Sequence, residues 1–153
     1  GRRVMARGAG ENVKGIFGST NWHWSLQDEG SKAFVKSFGT KYGFPPSQAA
    51  HTVYCQTLLY ANAAQTAGTF NPCGIAEALE GLKFDGLGNG ATEYRAEDHQ
   101  CFKDVLVVKG KENPTSEFDV LEVVEVTPRA QVEYAPDHPM FAGGELGACN
   151  PGA

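Results

Sequence analysis

The sequence of 153 residues lacks charge over one long stretch. From Tyr42 to Ala76 there is no Asp, Glu, Lys or Arg, although these residue types make up 20% of the chain. The stretch does contain Gln, Asn and His side chains, and each of these would need a hydrogen-bond partner that a lipid bilayer does not offer. It therefore predicts a helix at the centre of a domain, packed on most sides by other protein, and not a membrane span.

Several other features are missing. No basic run is longer than Arg2-Arg3 and the net charge is −5, so the sequence predicts no nucleic-acid partner. There is no H-E-x-x-H pair, no nucleophile elbow and no Gly-rich loop that opens a helix, so no cofactor is expected and no enzyme class is indicated. The hydrophobic content of 41% is typical of a globular protein with one core.

The chain has no C-x-x-C pair, which disfavours zinc. Its cysteines are Cys55, Cys73, Cys101 and Cys149, and they allow two disulfides in any of three connectivities, or buried free thiols. The segment 127–153 is rich in Pro and Gly and needs a tie to stay ordered, which favours a disulfide at Cys149 and an oxidising compartment. We expect the pair Cys101–Cys149, with Cys55 and Cys73 as a second pair or free.

The uncharged stretch predicts one long helix. Ser47 is suited to cap its start and Gly68 to end it in a left-handed conformation. Val53, Tyr54, Leu58, Ala61 and Ala64 form one apolar stripe, and Cys55, Leu59 and Tyr60 place apolar groups on other sides, so we expect cover on most sides of the helix.

Two more helices are predicted around the central one. The first runs from a cap at Ser31 to about Tyr42, and the other from Asn71-Pro72 to about Leu82. Strands are predicted at Val13–Thr20, Thr92–Arg95, Asp104–Lys109 and Val120–Val126. The four apolar residues in succession within 104–109 are typical of a strand covered on both faces. The fold class is therefore α/β, with too few strands for helices this apolar.

Two polar clusters have alternative interpretations. His51 and Cys55 are one helical turn apart, which suits a Cys–His dyad, a metal pair or a buried and satisfied histidine. The sequence Asp98-His99-x-Cys101 suggests metal ligands or a turn at the surface. Nothing else in the chain completes a catalytic or metal-binding set, so the structural interpretations are favoured and no metal is predicted.

The loop Asn21-Trp22-His23-Trp24 directly follows a predicted strand. Ligands of α/β proteins bind at strand ends, and indole rings make good walls for an organic solute. The alternative is an aromatic plug that packs the loop onto the domain. The two interpretations have equal support.

The order of several segments resembles one known family. They are Phe34-Val-Lys-Ser-Phe-Gly-Thr-Lys-Tyr-Gly-Phe-Pro-Pro46, Ala50-His-Thr-Val-Tyr-Cys-Gln-Thr-Leu-Leu59, Ala67-Gly68, Ile75-Ala-Glu-Ala-Leu-Glu-Gly-Leu82, Phe84-Asp-Gly-Leu-Gly88, Asp98-His99 and Val105-Leu-Val-Val108. Over residues 13–126 this order is similar to that of type I periplasmic solute-binding proteins, and to the branched-chain amino acid or amide receptors of ABC importers in particular.

This resemblance implies part of a two-lobed, Venus-flytrap fold, in which three helices and some strands complete lobes that lie largely outside this chain. Residues 1–100 would contribute helices and a hinge strand mainly to one lobe, 101–126 the terminal strands of the other, and 127–153 an irregular tail. Family members are more than twice as long, so the chain is expected to be a fragment of a larger protein.

The resemblance also implies a function without catalysis. The protein would bind a small polar organic solute (an amino acid, an amide or a urea-like compound) in the periplasm and deliver it to a membrane permease. Its further partner would be the remainder of its own polypeptide. His51 matches the family's ligand-contacting position at the start of the long helix, and Asn21 and Trp22 are further candidates. The alternatives are a ligand-sensing domain of a receptor or regulator, and a small hydrolase or metal protein that uses His51 and Cys55 or Asp98 and His99.

Overall fold

The computed structural model describes residues 8–140 and 147–149. A short 3-10 helix at Gly10–Val13 precedes the regular elements. The helices are α1 (Glu29–Tyr42), α2 (Gln48–Ala67), α3 (Pro72–Leu79) and α4 (Arg129–Val132). The strands are β1 (Phe17–Thr20), β2 (Lys83–Phe84), β3 (Thr92–Glu93), β4 (Val105–Gly110) and β5 (Leu121–Thr127). In the described part of the chain, no helix has the length and apolarity that crossing a membrane requires.

Helix α1 begins earlier than predicted. Asp28 is its cap, because the Asp28 side chain accepts a hydrogen bond from the Ser31 backbone N–H at 2.9 Å. The predicted cap, Ser31, is instead fully buried and its hydroxyl oxygen accepts from the Trp22 indole N–H. The helix ends where Gly43 takes a left-handed φ of 76°.

The bounds predicted for the central helix α2 are confirmed. The Ser47 hydroxyl accepts from the Ala50 N–H at 3.2 Å, and Gly68 ends the helix with a φ of 66°. These are local signals, because a cap side chain and a left-handed glycine act within one turn of the helix end.

The expectation that α2 is covered on most sides is not met within the described residues. The side chains that are buried form one stripe, which we call the inner stripe: His51, Cys55, Leu59 and Ala63. The remaining surface of the helix, which we call the outer face, is exposed in the described structure and includes Val53, Leu58 and Tyr60, whereas the partly exposed Tyr54 stacks on Phe34 of α1. Because α2 is uncharged all round, its own pattern does not select a face, and neighbouring segments decide which side is covered.

Helix α3 packs against α2. The Asn71 side chain accepts from the Cys73 N–H at 2.9 Å, and Pro72 occupies the first turn, as predicted. The helix stops at Leu79, short of the predicted Leu82, because the chain turns at Gly81 with a φ of 70° to enter β2.

Strands β1, β4 and β5 form one antiparallel sheet with β4 in the centre, and β2 pairs with β3 in a separate antiparallel pair. The two strands predicted at 104–109 and 120–126 are confirmed as β4 and β5, which pair as a hairpin. Burial alternates along β4, where Leu106 and Val108 are buried while Val105 and Val107 are half-buried. The expectation that both faces of this strand are covered is therefore not met within the described residues.

The predicted disulfide Cys101–Cys149 is wrong. Cys149 is bonded to Cys73 at the start of α3, and the two Cα atoms lie 5.5 Å apart, within the reach of a disulfide. Cys55 and Cys101 are free thiols. The predicted role of Cys149 as a tie for the tail is confirmed, although its partner lies on a helix and not beside the terminal strands.

The described elements form two bodies. The helical body contains α1, α2 and α3 with the β2–β3 pair, and the sheet body contains β1, β4 and β5. The densest packing joins elements of the same body: β1 with β4, β4 with β5, α2 with α3, and β2 with β3. The chain passes between the bodies after β1, before β4 and after β5.

Candidate functional site

The loop after β1 places Trp22 at the centre of a buried aromatic cluster. Trp22 is 1% exposed, and its indole ring stacks on the His51 imidazole with ring centres 4.3 Å apart and an interplanar angle of 5°. Its N–H donates to the Ser31 hydroxyl oxygen at 2.9 Å. The Phe34 ring makes edge-to-face contacts with both rings, at interplanar angles of 65° to Trp22 and 60° to His51. These contacts belong to the packing of the loop onto the helical body.

His51, whose ring stacks on the Trp22 indole, is 2% exposed. Its Nε2–H donates to the Leu87 carbonyl oxygen at 2.6 Å, which fixes the tautomer. Burial lowers the pKa of His51, because a charged imidazolium would lose its hydration. In the described residues His51 is thus a neutral, hydrogen-bonded histidine, and solute contact by its ring stays a prediction.

Cys55 follows His51 by one helical turn, with its sulfur 3.4 Å from His51 Nε2. Burial raises the pKa of the Cys55 thiol, so the thiol form is favoured over the nucleophilic thiolate. The His51 Nε2 proton is directed to the Leu87 carbonyl and is not available to activate a nucleophile. The geometry gives no support to a Cys–His dyad.

The second polar cluster is taken up by ion pairs. The Arg95 guanidinium makes two hydrogen bonds to the Asp98 carboxylate, and this pairing lowers the pKa of Asp98. His99 Nε2 lies 2.8 Å from a carboxylate oxygen of Glu80. In the parts of the chain that the structure describes, no three His, Cys, Asp or Glu side chains are placed to hold a metal ion.

Asn21 lies between the two bodies and is half-buried. Its side-chain oxygen accepts from the Gln48 amide at 2.9 Å, which joins the loop to the first turn of α2. Asn21 also borders an open cavity of about 470 Å³ whose walls include both free cysteines, Cys55 and Cys101. Burial raises the pKa of Cys101 as well, so neither thiol is activated.

A smaller cavity of about 50 Å³ lies at the seam between the helical body and the sheet body. We call it the seam cavity. Its lining residues come from the loop after β1, from the start of α2, and from the β4–β5 hairpin: Thr20, Trp22, His23, Trp24, Pro46, Ser47, Gln48, Val108, Phe118, Val120 and Leu121. It brings the predicted aromatic loop together with both bodies.

His23 is the titratable group of the seam cavity. Burial lowers its pKa to about 4, although the negative charge of Asp119 acts in the opposite direction. Its Nδ1 accepts from the Ser25 backbone N–H and lies 2.7 Å from the Ser25 hydroxyl, so the proton of the neutral ring is on Nε2. His23 is therefore a neutral imidazole that lines the cavity together with two indole side chains.

Sequence reasoning named the 21–24 loop but missed Gln48 and Asn89 as parts of the site. Gln48 follows the helix cap directly, so its position at the N-terminus of a helix aimed at the loop was an available signal. Asn89 lies in the Gly-rich turn that was assigned to no function, and only the three-dimensional structure shows what its amide contacts.

Comparison with known proteins identifies the class to which this arrangement belongs. Residues 2–115 match the family described as "Periplasmic binding protein", and the chain belongs to that family. The family comprises solute-binding proteins and not enzymes, as the resemblance in the sequence implied. A search of curated proteins found no match.

Solved structures of this class share the fold. A periplasmic binding protein from Burkholderia mallei superposes with a TM-score of 0.74 at 22% identity, covering 92% of this chain and 37% of that one. An amino acid ABC transporter substrate-binding protein from Pseudomonas fluorescens gives 0.71 at 23% identity, over 82% of this chain and 34% of that one. A solute-binding protein from Rhodopseudomonas palustris, solved with 3,4-dihydroxybenzoic acid, gives 0.65 at 15% identity over 78% and 32%. The chain thus spans about a third of the length of these proteins.

Proposed function

We propose that the chain is the part of an ABC-importer receptor that supplies one side of a solute cleft, and that the seam cavity marks this cleft. The solute is a small polar organic molecule: an amino acid, an amide or a urea-like compound. The observation that carries the proposal is the meeting of both bodies at one cavity with aromatic and hydrogen-bonding walls. Ligand sites of proteins are mostly apolar clefts with a few polar groups that fix the orientation.

Three groups of the seam cavity suit such a solute. The half-buried Trp24 provides an apolar wall, with the buried Trp22 indole packed beside it, and His23 Nε2–H provides a neutral donor for a carbonyl or carboxylate oxygen. Gln48 lies in the first turn of α2, where the backbone N–H groups favour negative charge. Asn21 contributes through its hydrogen bond to Gln48, and His51 supports the Trp22 indole from behind.

The size of the seam cavity bears on the mechanism. A cavity of about 50 Å³ has little room for an organic solute, which favours a mechanism in which the helical body and the sheet body move apart to admit it. Closure of two lobes around a ligand is a common mechanism for binding proteins, and it needs no covalent chemistry. We infer that the whole protein then presents the closed form to a membrane permease from the periplasm.

The remainder of the receptor is a further partner in this proposal. The outer face of α2 exposes apolar side chains, with Val53 at 62% and Leu58 at 42% exposed. Apolar surface of this kind is stabilised by burial against other protein. We propose that other parts of a two-lobed protein cover it, with residues 1–100 belonging mainly to one lobe, 101–126 to the other, and 127–153 forming a tail. Strand β1 is hydrogen-bonded to β4, which fits its predicted role as a hinge strand.

Thermal unfolding with added solutes tests this function. We expect an amino acid, amide or urea-like compound to raise the melting temperature of the intact protein, because a ligand at 100 times its Kd stabilises the folded state by about 2.7 kcal/mol. Gln48→Ala should reduce this shift, whereas Gln65→Ala near the other end of α2 should leave it unchanged. The proposal is contradicted if no compound of these classes, tested into the millimolar range, changes the melting temperature.

A further inference from the structure

Asn89 makes an unusual set of contacts for a residue in a Gly-rich turn. Its side chain is buried, with 7% of the residue exposed, and its backbone has a left-handed φ of 68°. The side-chain amide donates to two backbone carbonyl oxygens, one of Asn21 and one of Asp104, the latter at 3.0 Å. An amide nitrogen has two N–H donors, so both are used.

The turn that carries Asn89 is fixed to the helical body. The Leu87 carbonyl accepts from His51, and a Cβ at Gly88 would lie 2.7 Å from the Ser31 hydroxyl. On the other side, a Cβ at Gly30 would lie 2.1 Å from the Gly86 carbonyl oxygen. These approaches are too close for any side chain, so the turn 86–90 is held against α1 and α2 as a rigid unit.

The two carbonyl groups belong to the connections between the bodies. Asn21 is the first residue after β1, and Asp104 is the last residue before β4. The Asp104 carboxylate also accepts from the Arg129 backbone N–H at 2.7 Å, just after β5. All three connections therefore meet at Asn89 and Asp104.

We propose that Asn89 is a positioning residue. Its amide links the helical body to the two connections, at Asn21 and Asp104, about which the sheet body rotates. One amide holds two connections at a fixed distance, so that the bodies rotate about this point instead of sliding past each other. This inference rests on the proposed function, because a pivot matters only if the two bodies move to admit a solute. Buried carbonyl groups that lose their donor are costly, which makes the tie persistent.

The test compares variants that separate the amide from the backbone conformation. Asn89→Gly keeps the left-handed φ without strain and removes only the side chain, whereas Asn89→Asp keeps the size but has no N–H donor. Asn71→Ala is the matched control, because it removes the cap of α3 within the helical body and far from the connections. Each variant is made in the intact protein.

The readout is the distance between the two bodies. Spin labels are attached through a keto amino acid placed at Lys36 on α1 and Glu125 on β5, both exposed, so that Cys55 and Cys101 are left unmodified. Double electron–electron resonance spectroscopy, with no solute added, gives the distribution of distances between the two labels. We expect a broader and displaced distribution in N89G and N89D than in the wild-type protein, and the wild-type distribution in N71A at a lowered melting temperature.

The outcomes separate this proposal from the proposed function. Wild-type distributions in N89G and N89D overturn the tie, whatever their melting temperatures. A broadened distribution in N71A also overturns it, since loss of stability alone would then explain the effect. Because no solute is present, a failure of the solute panel to stabilise the protein refutes the proposed function and leaves the distance result standing.

Discussion

The two sides of α2 have similar composition and opposite surroundings. The inner stripe, which includes His51 and Cys55, is closed by the loop after β1 and by the turn 86–90. The outer face, which includes Leu58 and Tyr60, is exposed in the described structure. Neither side carries a charged residue. Burial on this helix is therefore decided by the segments that fold back onto it and not by the polarity of its own residues.

The polar side chains buried around the inner stripe all have hydrogen-bond partners. No buried side-chain nitrogen or oxygen among the described residues is without a hydrogen-bond partner. His51 donates to a backbone carbonyl, and Trp22 donates to the Ser31 hydroxyl. Polar groups buried in this way fix one arrangement of the chain, since any other arrangement would leave a donor unpaired. The outer face has no comparable constraint.

The largest expected effect is at the centre of the inner side. Trp22→Ala should lower the free energy of unfolding by about 3–5 kcal/mol, because it removes a large buried ring and leaves a cavity beside His51. Trp24→Ala, two residues along the same loop and only half-buried, should cost clearly less. Urea titrations followed by far-UV circular dichroism measure both. Equal costs would show that the inner side is not the stabilising core.

Adjacent leucines give the most direct test of the comparison. Leu59 is 7% exposed on the inner stripe, and Leu58 is 42% exposed on the outer face. Leu59→Ala should cost about 2–5 kcal/mol in a urea titration of this chain. Leu58→Ala should cost less than about 1 kcal/mol, as is usual at exposed positions.

The same leucine pair tests what covers the outer face. In a longer protein that buries this face, the cost of Leu58→Ala should rise toward that of Leu59→Ala. If the cost of Leu58→Ala is the same in both forms, the outer face is an ordinary exposed surface and the proposed cover is wrong.

The disulfide tests how far the inner side depends on the tail. Cys73→Ser removes the bond to Cys149 and should lower the free energy of unfolding by about 2–4 kcal/mol under oxidising conditions. Cys101→Ser, at a free thiol, is the control and should cost less. Near-UV circular dichroism should retain its aromatic bands in C73S, because the contacts of Trp22 do not involve the tail. The reverse order of costs would support the pairing Cys101–Cys149.

The last expected effect is the pH dependence of stability, which grows gradually with acidity. The pKa of His23 falls from 6.5 to about 4 on folding, so between these values the unfolded chain binds a proton that the folded chain does not. Stability is full above pH 6.5 and decreases as the pH falls toward 4, by about 3 kcal/mol at most from this group. The lowered pKa of His51 acts in the same direction.

A variant isolates the contribution of His23 to this pH dependence. In His23→Asn the side-chain oxygen can replace Nδ1 as the acceptor from Ser25, and the side chain at this position no longer titrates. The difference in unfolding free energy between pH 7 and pH 4.5 should therefore be smaller in the variant than in the wild-type protein. An identical difference would assign the pH dependence to other groups.

The sequence was sufficient for features that depend on neighbouring residues. The cap Ser47, the left-handed Gly68 and the start of α3 at Asn71-Pro72 were predicted correctly, because each signal acts within one turn. Asp28 and Ser31 lie three positions apart, and both are residue types that cap helices well. Asp28 is the cap in the structure, because the Ser31 hydroxyl accepts a hydrogen bond from the Trp22 indole instead. That contact cannot be predicted from the local sequence.

The sequence was insufficient where distant segments meet. The partner of Cys149 depends on the path of the tail, which spacing does not encode. The proposed role of Asn89 depends on two backbone carbonyl groups, which any residue type would provide. No pattern of side chains in the sequence therefore predicts these hydrogen bonds. The aromatic loop was identified, and the burial of Trp22 agrees with the packing interpretation, while the role of the loop as a wall for a solute stays a prediction.

The stacking of Trp22 on His51 makes the intrinsic fluorescence of Trp22 sensitive to the protonation of His51. An excited indole in ring contact loses its fluorescence to a protonated imidazole more readily than to a neutral one, and the pKa of His51 is lowered by burial. Emission from Trp22 should therefore be blue-shifted and bright at neutral pH. In a Trp24→Phe variant, which removes the indole beside His23, this emission should weaken at an acidic pH that marks the protonation of His51. Any solute that loosens the loop around Trp22 would move that pH, so its binding could be followed without a label.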